Sequence, residues 1–63
     1  IQQHRQQHEK ALAIMLDIEK QYSQLESGER NKLALPFLTL RRGILGEQAW
    51  LTWAQEVENF LQE

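Results

Sequence analysis

The sequence predicts an all-α protein, an antiparallel two-helix hairpin that dimerises into a helical bundle or coiled coil. Three observations carry that prediction. Two long stretches place apolar residues at alternating intervals of three and four, the spacing of one helix face. A single short polar segment, ESGERN from Glu26 to Asn31, separates them. The chain also has only 63 residues and no cysteine. Chains below roughly 70–80 residues rarely build a sufficient core unaided. With no thiol to form a disulfide, association is the remaining remedy.

The first helix is defined by Ile1, His4, His8, Ala11, Met15, Ile18, Tyr22 and Leu25, which together form a heptad seam. Leu12, Ile14 and Leu16 add apolar bulk off that seam, more than one partner helix would cover. Gly28 fits the left-handed position that commonly ends a helix. Two helices joined by a short polar link fold back on each other.

The second helix is expected from about Pro36, which suits a first turn because its missing donor would be unpaired there. It continues to about Gln62. One stripe holds Thr39, Gly43, Gly46, Trp50, Trp53, Val57 and Phe60; another, offset by ~100°, holds Phe37, Leu40, Ile44, Leu51, Ala54 and Leu61. The first helix takes one stripe and leaves the other for a second copy or another domain. The residues expected in the core and dimer interface are Met15, Ile18, Tyr22, Leu40, Ile44, Trp50, Trp53, Val57 and Phe60. Glycines inside a helix cost ~1 kcal/mol each relative to alanine, so Gly43 and Gly46 point to close helix approach or to a locally weak helix.

Composition narrows the function. Seven Lys and Arg stand against nine Asp and Glu, a net charge of −2, so this chain by itself is a poor surface for phosphates. No apolar run approaches the ~18 residues of a membrane span. The polar start IQQHRQQHEK has no signal-peptide core and no initiator methionine. We read it as an excised piece whose missing part lies before Ile1, from a cytoplasmic protein.

His4 and His8 share a helix face at zinc-compatible spacing, but Glu9 points ~100° away and no further ligand completes a site. Partly buried or interfacial histidines are the reading here. The pair Arg41 and Arg42 is assigned to ion pairs with Asp17, Glu19 or Glu26, and Glu47, Glu56 and Glu58 to a solvated face. Neither a Ser–His–acid set nor a phosphate loop is present. The expectation is a non-enzyme with no metal and no cofactor.

The segment LTLRRGILGEQAWLTWAQEVENFL, Leu38 to Leu61, resembles the C-terminal region of PadR-like transcriptional regulators. It is most similar to the AphA branch, with its virulence activator alpha type of C-terminal domain. The matching residues are Leu38, Thr39, Leu40, Arg41 and Arg42, then Gln48, Ala49, Trp50, Trp53, Ala54, Glu56 and Val57. They cover about a third of the chain; Gly43 and Gly46 depart from the pattern. The resemblance implies a homodimer that reaches DNA only through an absent N-terminal winged helix-turn-helix. Two other functions fit the residues: a generic helical adaptor that captures a foreign helix, and an effector-binding region in which Trp50 and Trp53 form a ligand platform.

Overall fold

The structure is a computed structural model and describes residues 2–62. Three helices follow in order: α1 (Gln2–Ser23), α2 (Ser27–Lys32) and α3 (Ala34–Gln62). The described residues contain no strand. Ile1, the first seam position expected above, lies outside the described residues.

α1 is built from strong helix formers and has no glycine or proline. Its last turn tightens: Gln24 N donates to Gln21 O at 3.1 Å and Leu25 N to Tyr22 O at 3.1 Å, an i→i+3 pattern. The link does not end in the left-handed turn expected at Gly28. Past Glu26 it forms α2, and Gly28 lies within that helix; no described glycine has a positive φ. The chain leaves α1 through the extended backbone of Glu26 (φ −68°, ψ 157°), so no left-handed residue is needed.

α2 and α3 are nearly continuous. Leu33 N donates to Glu29 O and Arg30 O at 3.2 Å, and Phe37 N donates to Leu33 O at 2.9 Å. Pro36 explains the break between them. A proline ring clashes with the carbonyl four residues earlier, here that of Lys32, so the helical path is interrupted at Leu33. α3 therefore starts at Ala34, two residues before the expected Pro36.

α1 lies antiparallel along α3. Arg5 reaches Glu58, Met15 reaches Gly43, Glu19 reaches Arg41 and Tyr22 reaches Phe37. The molecule is a rod, 52 × 15 × 13 Å along its principal axes. Such a rod is one helix pair thick and has no interior layer. Among the described residues only Ile44 and Ala54 are fully buried hydrophobics.

The inward face of α1 is rotated from the predicted seam. Arg5, His8, Ala11, Leu12, Met15, Glu19 and Tyr22 are half-buried, whereas His4, Ile18 and Leu25 are exposed. Polar partners on α3 set the rotation: the Glu58 carboxylate and the Gln55 amide face Arg5, and Arg41 faces Glu19. On α3 the stripe of Phe37, Leu40, Ile44, Leu51 and Ala54 turns toward α1; its last member, Leu61, is exposed.

Candidate functional site

The α1–α3 seam begins with Arg5, at the end where α1 starts and α3 finishes. Arg5 Nη1 donates to Gln55 Oε1 at 3.2 Å. Nη2 lies 2.8 Å from Glu58 Oε1 but off a hydrogen-bond axis, so this contact is an ion pair without aligned donation. One turn further, His8 Nδ1 contacts the Glu47 carboxylate. An ionised carboxylate only accepts, so Nδ1 is the donor. The imidazole also stacks on Trp50, with ring centres 3.9 Å apart and planes 20° apart.

At mid-seam the helices meet at Gly43. A β-carbon there would stand 3.2 Å from Met15 Sδ and 3.3 Å from its Cε. Gly46 has nothing within 4 Å of the equivalent position, so within one chain the close approach expected at both glycines occurs at Gly43 alone. Gly46 points away from α1, into the open. Beyond Gly43, Arg41 Nη1 donates to Glu19 Oε2 at 2.8 Å, one of the partners expected for the arginine pair. Arg42 is exposed and forms no ion pair among the described residues.

At the corner, Tyr22 and Phe37 stack with centres 4.2 Å apart. Tyr22 Oη donates to Arg30 O at 2.7 Å and ties α2 to the end of α1. An apolar groove of about 280 Å³ opens beside them, lined by residues that include Ile18, Leu25, Leu33 and Leu40. Its one amide side chain is Gln21, too little polar lining to orient a ligand.

The nine predicted core and interface residues divide in two. Met15, Tyr22, Leu40, Ile44, Trp50 and Val57 are buried or half-buried in the single chain. Ile18, Trp53 and Phe60 are exposed, because the α1–α3 contact is too narrow to reach them. Trp50 and Trp53 meet edge to face, 6.2 Å apart at 62°, with His8 against Trp50. The indoles therefore offer no parallel pair of faces between which a flat molecule could be clamped.

Sequence reasoning missed Glu47 and Glu58, assigned above to a solvated face with Glu56. Both contact α1, and only Glu56 is exposed. The signal was present: Glu47, Leu51, Ala54 and Glu58 follow one another at intervals of four, three and four, on the stripe that faces α1. Among the described residues no three His, Cys, Asp or Glu gather to hold a metal ion.

Among the described residues the back of α3 is an unpaired apolar face. Leu38, Leu45, Trp53 and Phe60 are 59%, 54%, 54% and 77% exposed. By helical rotation they lie opposite the stripe that packs on α1. α3 is thus apolar on two sides, the pattern of a helix buried on both. The back of α1 is instead mostly polar, with Gln6, Lys10, Asp17 and Lys20, and Ile14 exposed beside them. No helix of the described residues is long and apolar enough to cross a membrane, so lipid spanning does not account for this face.

No curated protein and no solved structure matches the chain. The sequence profile of the family described as virulence activator alpha C-term matches residues 1–62, nearly the whole length. The chain therefore belongs to the virulence activator alpha C-terminal family.

Proposed function

We propose that this chain is the dimerisation region of a PadR-like transcriptional regulator of the AphA branch, acting in the cytoplasm. Its membership of a virulence activator domain family supports a regulatory role in transcription. Two antiparallel helix pairs associate through α3 into a helical bundle or coiled coil. In the full regulator the bundle holds two N-terminal winged helices at a fixed separation, matching half-sites of a two-fold operator. The bundle makes no base contacts itself; it raises the effective concentration of the second DNA-binding domain.

One observation carries this reading. Among the described residues the single chain fully buries two hydrophobic side chains while leaving a row of large ones open along α3. Contiguous apolar surface of that kind marks an association site. The net charge of −2 supports the same division of labour, with DNA contact assigned elsewhere.

Sedimentation equilibrium of the 63-residue chain across a hundredfold range of concentration tests it. The expected species is twice the 7.5 kDa chain mass, with helicity and mass falling together on dilution. A well-ordered monomer at the highest concentration refutes the reading. A chain that becomes ordered only with a foreign helix points to the adaptor function instead.

A further inference from the structure

The outer face of α3 reads symmetrically from Ala49. Leu45 and Trp53 stand four residues to either side, Arg42 and Glu56 seven, and Leu38 and Phe60 eleven. At 100° per residue all seven positions lie within an arc of about 80°. Each is exposed in the single chain. The mirror positions match in kind, apolar with apolar and charged with charged, and the two charges are opposite in sign.

Arg41, Glu47 and Glu58 are used in contacts with α1, whereas Arg42 and Glu56 form no ion pair among the described residues. A two-fold axis through Ala49 gives both of them partners. It sets each Arg42 against Glu56 of the second copy, twice per dimer, and brings Leu45 to Trp53 and Leu38 to Phe60. The smallest side chain of the face sits where the helices cross. A parallel arrangement in register would instead oppose Arg42 to Arg42 and Glu56 to Glu56, and like charges so placed repel.

We propose that α3 docks on α3 of a second copy of this chain, antiparallel, about a two-fold axis at Ala49. The Arg42–Glu56 pairs at both ends set the register. The proposal rests on the homodimer reading above and adds the face, the direction and the alignment. From Leu38 to Phe60 the contact runs ~33 Å at 1.5 Å per residue, and the same patch serves both copies, as a closed two-fold interface requires. Exposed ion pairs contribute more to alignment than to affinity, which suits their place at the ends of an apolar strip.

Charge exchange on the 63-residue chain tests it. Arg42→Glu and Glu56→Arg, made singly, each put like charges at both ends of the dimer and are expected to weaken association about tenfold. The double variant R42E/E56R restores the opposed charges and is expected to return to within about threefold of the parent. Single variants at parental affinity, or a double variant no better than the singles, overturn the register while leaving a dimeric parent, and so the homodimer reading, intact. A monomeric parent overturns both. The chain has no cysteine, so Ala49→Cys introduces its only thiol. Mild oxidation is expected to link A49C into a covalent dimer and to leave Asp17→Cys, on the back of α1, largely unlinked; the opposite result overturns the proposal.

Discussion

Replacing Trp53 with alanine separates the stability of the helix pair from that of the dimer. Trp53 is 54% exposed in the single chain. A large aromatic carries ~150–250 Å² of surface, so ~100 Å² of this indole faces solvent until something covers it. At ~25 cal/mol per Å², covering it contributes ~2.5 kcal/mol per copy and ~5 kcal/mol per dimer. Alanine keeps part of that, leaving a loss of ~3–4 kcal/mol, or about 10²–10³-fold in Kd. Within the chain the indole has one aromatic neighbour, the edge of Trp50 at 6.2 Å, worth ~0.5–1.5 kcal/mol beyond area burial. The variant is therefore expected to lose more association than helix-pair stability. Sedimentation equilibrium reads the first and thermal unfolding by circular dichroism at matched concentrations the second. A Kd within about threefold of the parent, or an unchanged melting temperature, refutes the reasoning.

Four other substitutions probe the chain. Ile44→Ala empties the largest fully buried position and is expected to cost ~2–5 kcal/mol, enough to melt the helix pair in a thermal scan at room temperature; a cooperative melt near the parent's would show that Ile44 is not the core. Gly46→Ala meets nothing within the chain and is expected to stabilise α3 by up to ~1 kcal/mol. Gly43→Ala gains less, because the end of the Met15 side chain must move by a few tenths of an ångström; a larger rise in melting temperature for G43A than for G46A would contradict the placement of the close approach. Tyr22→Phe removes the donor to Arg30 O at a cost of ~0.5–1.5 kcal/mol. Hydrogen exchange in α2 should accelerate while α1 and the body of α3 stay protected, and uniform acceleration would indicate a global role instead.

The all-helical class and the two long helices were legible in the residues because a period of three and four is a local property of the chain. So was an apolar surface on α3 wider than one partner helix buries, but not its position: of the exposed back only Trp53 and Phe60 belong to the predicted stripes, and Leu38 and Leu45 to neither. The sequence also showed an interruption between the helices, since the polar segment ESGERN breaks the apolar period. It did not fix whether that segment would itself coil into α2. A six-residue helix has too few positions to reveal a period, and its place is held by tertiary contacts such as the Tyr22 hydroxyl on Arg30 O.

Only the packed structure decided the rotation of α1. Ile18 and Leu25 fit a heptad as well as Leu12 does, and apolar spacing alone does not rank them. The choice depends on what stands opposite: Arg5 before Glu58, His8 before Glu47, Glu19 before Arg41. Those pairs join residues 22 to 53 positions apart in the chain, a separation that no local window contains. The same fact assigned the glycines, since Gly43 and Gly46 are alike as residues and differ only in whether Met15 lies across from them. A sequence lays out which side chains share a face; which face turns inward is settled by the neighbour it meets.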